Sequence, residues 1–388
     1  MPEVAGDARS AFHLPSDVTY LNTAYMGPLP RTAVEAGWSA LDRKARPWTI
    51  AADDFFVPAE TYRGLIAELL GGGADADGVA VTPSVSYGLS TFAANLPLAA
   101  GQVVVVPADE FPSALLPWTD AAARAGATVV RVPADGPDRC GPVLAEVERL
   151  GDQVALVSVP ANHWTDGAPF DLAALRAATR AVGAALAVDV AQSLGAVPLD
   201  PAAEPDVVAG ATYKWLLGPY ALGFAWFAPR WRAGRPLEHS WIGRAGAEDF
   251  AALTTPADDF RPGARRYDMG EGSQHNLMAV ALAGLQLVRD WDPTATAAHA
   301  RVLTDRIAAG AAELGFASPP PEHRSPHLVG LDLTATGIAP ADLAAHLAGD
   351  RVHVSVRGSS VRVSAHRFNT AADVDRLLAS LATAVAAR

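Results

Sequence analysis

Val154-Ala-Leu-Val-Ser-Val159 and Ala184-Ala-Leu-Ala-Val-Asp-Val190 are short apolar runs, separated by a stretch at 172–182 with helical periodicity. Neither run alternates polar with apolar residues, so each reads as a strand buried on both faces. A strand, a helix and a second such strand form one parallel crossover, and a parallel sheet needs helices over both of its faces. The same unit repeats upstream. Apolar runs at 79–82, 103–106 and 129–132 alternate with helical stretches near 84–96, 115–125 and 143–150. Downstream, Val207-Val-Ala-Gly-Ala-Thr212 is a further buried strand, and 222–227 is another apolar run. The predicted fold is therefore α/β, with a mostly parallel sheet covered by helices. Ligands of such sheets bind at the carboxyl ends of the strands.

The flanks read differently. Before the alternation, Thr19-Tyr-Leu-Asn-Thr-Ala-Tyr-Met-Gly27 enters a Gly/Pro turn, and 32–70 carries helical periodicity up to Gly71-Gly-Gly73. The triple glycine lacks the Gly-Lys-Ser/Thr ending of a phosphate-binding loop and reads as a helix stop. Beyond a long helix at 276–290 come helix 299–314, strand 328–333, helix 339–347, strands 352–356 and 361–364, and a terminal helix from Ala371. We take 17–275 as a large domain and 276–388, joined by residues 1–16, as a smaller C-terminal α+β domain.

Composition narrows the function classes. The 388 residues are half hydrophobic and 19% charged, an ordinary globular balance. A net charge of −12 with no basic block disfavours nucleic acid and anionic membrane as partners. Cys140 is the single cysteine, which excludes an intrachain disulfide framework or a cysteine metal cluster and fits a reducing compartment. No apolar run approaches the ~20 residues of a membrane span, and Met1-Pro-Glu-Val-Ala-Gly-Asp7 has no signal-peptide pattern. The expectation is a soluble, cytoplasmic protein.

Four strand ends carry chemistry-capable residues. Lys214, just past the run 207–212, is either a desolvated amine suited to Schiff-base formation or a lysine snorkelling from a loop. Thr82-Pro-Ser-Val-Ser-Tyr87 puts Ser84 and Ser86 at a helix N-terminus, as an anion site or as ordinary caps. Asp189 ends a buried strand, with Gln192 three residues on. Its partner is a cationic ring nitrogen, a helix N-terminus or a salt bridge. In Asp109-Glu-Phe-Pro-Ser113, Phe111 covers a flat ligand or packs in the core. A phosphate site, an aromatic lid, a carboxylate for a ring nitrogen and a Schiff-base lysine, met in this order, describe one cofactor, pyridoxal 5′-phosphate (PLP).

At this point the chain resembles the class V aminotransferases of fold type I, the family of cysteine desulfurases, kynureninases, isopenicillin-N-epimerase-like proteins and several carbon–sulfur lyases. The resemblance runs from Tyr20 to Thr370 and is carried best by Val188-Asp-Val-Ala-Gln192, Thr212-Tyr-Lys-Trp215 and Val361-Arg-Val-Ser364. It implies a large PLP-binding domain with Lys214 as the Schiff-base lysine, Asp189 on the pyridine nitrogen and Gln192 near the ring hydroxyl. Val85, Ser86 and Tyr213 match phosphate contacts, and Arg362 matches the clamp on the substrate α-carboxylate, a role suited to a planar fork. The family also implies a homodimer with active sites at the interface.

The departures point within the family. Desulfurases need a loop cysteine shortly before the carboxylate arginine, where this chain has only Arg357-Gly-Ser-Ser360, and Cys140 lies far upstream in a polar turn. Phe111 replaces the histidine that desulfurases stack on the ring, so it stacks without shuttling protons, which leaves Lys214 as the main acid/base. Trp164 stands where desulfurases have a cofactor-touching asparagine; His163 or Asn162 compensates or is merely solvated. In the segment by which, in this family, the partner subunit reaches the phosphate, Glu271 replaces the expected threonine, with Ser273 or Gln274 in its stead. Asn22, Tyr25, Trp241 and His366 are further candidates for the substrate pocket. These features place the chain nearest the epimerase-like, kynureninase-like and lyase branch. The expected activity is on an α-amino acid, by way of an external aldimine and a quinonoid, leading to β-elimination such as carbon–sulfur cleavage of a cysteine conjugate. Amino transfer, epimerisation, kynureninase-like hydrolysis and a catalytically silent binding module are the alternatives.

Overall fold

The computed structural model describes residues 8–387; the Met1–Asp7 segment read for a signal peptide lies outside the described residues. In the first part of the chain β1 (Thr19–Tyr20) leads to helices α1 (Arg31–Lys44) and α2 (Val57–Leu70). The alternation then runs β2 (Val79–Thr82), α3 (Val85–Ala93), β3 (Val103–Pro107), α4 (Pro112–Ala125), β4 (Thr128–Val132), α5 (Cys140–Leu150) and β5 (Val154–Pro160). It closes with α6 (Leu172–Val182), β6 (Ala185–Asp189), β7 (Val207–Ala211) and β8 (Gly223–Phe227). These strands make one seven-stranded sheet in the order β2-β8-β7-β6-β5-β3-β4. All run parallel except β8, which is antiparallel to both of its neighbours. β2 therefore points the same way as the parallel strands, and the ends of β2, β3, β5, β6 and β7 open on one edge.

Alternate residues of each strand enter different cores, as a two-residue period requires. Val103, Val105, Leu186 and Val188 join one apolar cluster with side chains of α2, α5, α6 and helix α7 (His275–Trp291). Val104, Val106, Ala185 and Ala187 join the other, against Leu89 and Phe92 of α3 and Leu115 and Trp118 of α4. The sheet is thus covered on both faces. On α3 a Cβ at Gly88 would stand 2.7 Å from Ala225 Cβ, so glycine lets this helix lie close on the sheet.

The C-terminal part has its own core. α8 (Pro293–Glu313), α9 (Pro340–Gly349) and α10 (Ala371–Ala386) pack with a sheet of β9 (Leu328–Asp332), β11 (Ser355–Arg357) and β12 (Ser360–Ser364) in the order β11-β12-β9. β10 (Val352–His353) pairs instead with β1, in parallel. The run 352–356, expected as one strand, therefore divides at Val354 between two sheets. The helix expected at 299–314 begins earlier, at Pro293, because the Asp292 carboxylate accepts a hydrogen bond from Thr294 N at 2.8 Å. The helical region 32–70 breaks in two, with Pro47 opening a short turn and Pro58 in the first turn of α2.

Residues 19–27 tie the two parts together. Ala24 N donates to Ser364 Oγ at 3.0 Å, Gln192 Nε2 donates to Ala24 O at 3.1 Å, and Gly27 N donates to Tyr213 O at 2.8 Å.

Candidate functional site

The open strand edge encloses a cavity of about 650 Å³. Lys214, Asp189, Phe111, Trp164, Tyr25 and Arg362 all line it, with Gln192, Val85, Ser86 and Tyr213. Five strand ends and the C-terminal sheet thus bring together residues that are up to 337 positions apart, from Tyr25 to Arg362.

Lys214 leaves β7 in a tight turn held by Gly218 N donating to Thr212 O at 2.9 Å. Burial pushes its amine down to about 8, Asp189 opposing the shift and Arg362 adding to it. Its Nζ stands 5.4 Å from the centre of the Tyr213 ring. Asp189, at the end of β6, accepts from Ala191 N at 2.7 Å, and among the described residues no cation lies within ion-pair distance of it. Burial raises its carboxyl, while the Ala191 amide and Lys214 act against that rise. A buried carboxylate that faces a cavity and has no cation within ion-pair distance fits a protonated ring nitrogen.

The amino end of α3 supplies the anion site. Ser84 Oγ caps the helix by accepting from Tyr87 N at 3.2 Å and lies 2.9 Å from Ser86 Oγ. The first-turn N–H groups of Val85 and Ser86 have no acceptor within the helix and meet the cavity at its positive dipole end. Ordinary capping and an anion site therefore coexist. With the ring wall of Phe111 and the Lys214 amine, this set fits PLP: amides for phosphate, a carboxylate for the ring nitrogen, an amine for the aldehyde.

Arg362 approaches from β12 and is 3% exposed. Its Nη1 donates to Trp164 O at 2.7 Å, and burial together with Arg357 pushes the guanidinium down to about 10. Trp164 Nε1 donates to Asp109 O at 2.8 Å, and its ring meets Phe111 edge-on at 5.5 Å. His163, which had a merely solvated role as one option, is fully buried. It sits 3.2 Å from Asp109 and 3.5 Å from Asp166, and Arg139 bridges the same two carboxylates. That cluster fixes the turn carrying Trp164. Gln192 is held by its Ala24 bond and by accepting from Trp215 Nε1 at 3.1 Å, so its amide orientation is set before any ligand arrives.

Four candidates lie elsewhere. His366 is fully buried between Trp215 and Phe368, with near-parallel rings at 5.7 and 5.2 Å; burial pushes its imidazole down to about 3. Ala365 N donates to His327 O and continues the β12–β9 pairing, while His366 packs on Trp215 and is not among the residues lining the cavity. Trp241 packs on Phe55, Phe56 and Phe250, away from the cavity. Asn22 accepts from Ser355 Oγ at 2.7 Å and braces the C-terminal sheet. Ser273 is buried in the turn before α7 and does not line this chain's own cavity, in keeping with a segment expected to serve the partner's site. Cys140 is not in a polar turn: it opens α5, because Asp138 accepts from its N–H at 3.0 Å, and it is 7% exposed.

Glu110 was missed. It is 6% exposed and lines the cavity; Oε1 accepts from Phe111 N at 2.6 Å, while Oε2 is buried without a partner. Burial and the neighbouring Asp189 push its carboxyl up to about 8. The signal was its place beside Phe111 at the end of an apolar strand.

Comparison with known proteins bears on the family and the fold. The family model described as aminotransferase class-V matches residues 51–377. A kynureninase of Deinococcus radiodurans is 32% identical over 310 residues, 76% of this chain and 72% of that protein. The isopenicillin N epimerase of Streptomyces clavuligerus is 29% identical and 97% of each chain is covered. A cysteine desulfurase from Thermococcus onnurineus NA1 superposes with a TM-score of 0.84 at 19% identity, over 98% of both chains. A cystine C-S lyase, in complex with its product cysteine persulfide, superposes at 0.82 with 21% identity, over 95% of this chain and 98% of that one. At such identities the structural likeness speaks for the fold alone.

Proposed function

Since the chain belongs to the class V aminotransferase family of PLP-dependent enzymes, we propose that it acts on an α-amino acid and eliminates a substituent from the β-carbon, as in carbon–sulfur cleavage of a cysteine conjugate. When bound, the cofactor supplies an electron sink for the charge left by the departing α-proton. The chain's own residues do the positioning and the proton transfer. Val85 and Ser86 hold the phosphate by their amides, Asp189 holds the ring nitrogen, and Phe111 covers a ring face. Arg362 fixes the substrate carboxylate, with its buried fork aimed from the opposite domain. Lys214, with an amine near 8, is neutral in a useful fraction at physiological pH, takes the α-proton and returns it to the leaving group.

One observation carries the lyase reading. The ring that covers this site is Phe111, which cannot titrate and so takes no part in proton transfer, and Lys214 is the base we assign to the α-carbon. Elimination needs only one such base. A second reading, epimerisation, is favoured by the epimerase relative that spans 97% of both chains. The two separate cleanly. Incubation with cysteine conjugates should release pyruvate and ammonia. Amino transfer to a keto acid, or scrambling of α-stereochemistry in deuterium oxide, each without pyruvate, would sink elimination.

We also propose a homodimer in the cytoplasm. Tyr25 and Tyr220 are 55% and 67% exposed at the cavity, and Trp38 and Trp48 are more exposed still, surfaces that a second copy would cover. The lone buried thiol supports a reducing compartment, and among the described residues no helix is long and apolar enough to cross a membrane. Light scattering should give about twice 40.2 kDa, and cell fractionation tests the compartment; a monomer mass or a membrane pellet would overturn the respective claim.

A further inference from the structure

The cavity holds more positive charge than the proposed reaction uses. Arg357 lines it beside Arg362 and Lys214, and the facing carboxyls are Asp189 and Glu110. Glu110, buried and pushed up to about 8, is largely uncharged near neutrality. Neither Arg357 nor Arg362 has a carboxylate within 4 Å among the described residues; Arg357 Nη1 donates only to its own strand, at Val356 O, 2.8 Å. The two cations act on each other instead, and the field of Arg357 reaches both Arg362 and Lys214.

The register of the hairpin explains why both point one way. β11 and β12 pair antiparallel, with Ser355 opposite Arg362 and Arg357 opposite Ser360. Residues directly opposite share a face, and so do residues two apart along a strand. Arg357 and Arg362 are therefore diagonal neighbours on the cavity face, with β-carbons typically ~7–8 Å apart. Val356, Val361 and Val363 take the other face, into the C-terminal core. Gly358, with φ +57°, makes the tight turn immediately after Arg357, and Ser359 Oγ donates to Asp332 Oδ2 at 3.1 Å, which anchors that turn to β9. Arg357 thus stands on a braced hairpin, half-buried, with donors to spare. A half-buried guanidinium without an anion is costly unless the ligand brings one. The anions already assigned are taken up elsewhere, the phosphate by α3 and the α-carboxylate by Arg362.

We propose that Arg357 is the subsite for a second carboxylate, so that the preferred substrates are α-amino acids whose side chain ends in an acidic group. This rests on the reading of the chain as an α-amino-acid enzyme with Arg362 on the α-carboxylate. Bidentate guanidinium–carboxylate recognition then sets the distance from the reacting carbon to the acidic end of the side chain.

The test uses the PLP-loaded enzyme and two substrates of equal shape, S-carboxymethylcysteine and its neutral amide, S-carbamidomethylcysteine. Apparent affinities are read from the change each makes in the cofactor absorbance. The acid should bind about tenfold or more tightly than the amide in the wild type. Arg357→Gln should abolish that preference while binding the amide as before, and Arg357→Lys should restore part of it. An unchanged cofactor spectrum in each variant shows that the fold is intact. Equal binding of acid and amide by the wild type overturns the proposal, as does equal weakening of both in Arg357→Gln, or loss of cofactor in that variant. A wild type whose spectrum responds to no amino acid at all would instead bring down the underlying function.

Discussion

Gly27 offers a sharp test of how the lysine is held. It is buried, its N–H donates to Tyr213 O at 2.8 Å, and a Cβ there would lie inside the sphere of the Lys214 carbonyl oxygen. The same Cβ would be 3.1 Å from the Lys214 carbonyl carbon and 3.3 Å from Leu217 Cδ2. Non-bonded heavy atoms settle near ~3.5 Å, so in Gly27→Ala the Lys214 peptide must retreat by roughly 1.5 Å. It has little room to do so. Gly284 of α7 presses on the next turn from the far side, where a Cβ would meet Leu217 O at 2.5 Å, and at Gly195 one would meet Trp215 O at 2.6 Å. The displacement therefore falls on the lysine itself. A reacting group misplaced by ~1 Å loses on the order of 100-fold in rate, and the overpacking costs about 1–3 kcal/mol of stability. The assay is kcat with a substrate that shows turnover, alongside cofactor absorbance and a thermal melt. Gly64→Ala, at a helix position with nothing within 4 Å of the added carbon, serves as the neutral control. If Gly27→Ala turned over at the wild-type rate, the claim that this contact sets the lysine's position would be refuted.

Lys214 gives a pH signature. In the cofactor-free protein its amine titrates near 8 instead of 10.5, so the rate of cofactor attachment should rise through pH about 8, and Asp189→Asn, which removes an opposing charge, should move that midpoint lower. Between these two values the unfolded chain holds a proton that the folded chain has lost, so stability of the cofactor-free protein should increase with pH across that window; a flat or falling melting temperature would contradict the burial argument. Arg63 is fully buried, pairs with Asp268 and also donates to Val79 O; Arg63→Met leaves the buried Asp268 carboxyl with its Val81 amide but without its ion-pair partner and should cost about 3–5 kcal/mol in urea denaturation. Cys140→Ser should leave turnover unchanged, and in the native protein the thiol, pushed up to about 11 by burial, should react with an aromatic disulfide reagent only on unfolding.

The sheet and the strand-end residues were legible because both follow from local pattern. A run such as Val103-Val-Val-Val106 is apolar at every position, so it must be covered twice, and the residue just past it must face the open edge. That logic pointed to Lys214, Asp189, Ser84, Ser86 and Phe111 without knowledge of strand order, whereas Val85 came from the family resemblance. What failed depends on three-dimensional neighbours. His366 follows the strand that carries Arg362, but Trp215 and Trp291, brought from distant parts of the chain, enclose its ring outside the cavity. His163 sits in a polar turn by composition, yet Asp109 and Asp166 arrive from both sides and let it be buried. Glu110 reads as an ordinary charged residue, since only burial beside Asp189 keeps its proton on. The division of 352–356 is equally hidden. β10 leaves with β1, which lies more than 330 residues earlier, and no window on the sequence spans that pairing.

The strap formed by residues 19–27 also orders events during synthesis. The strands and helices of the seven-stranded sheet end by Trp291, so the sheet can close on the ribosome while the last hundred residues are still being made. The strap cannot. Its partners at Val352, Ser355 and Ser364 emerge last, and Ala24 waits for a hydroxyl 340 positions away. Until they arrive, the strap is held from one side only, by Gln192 on Ala24 O and by Tyr213 O on Gly27 N. Full seating of the strap is thereby deferred to the completed chain, and a polypeptide that stalls short of β12 has the lysine but not Arg362.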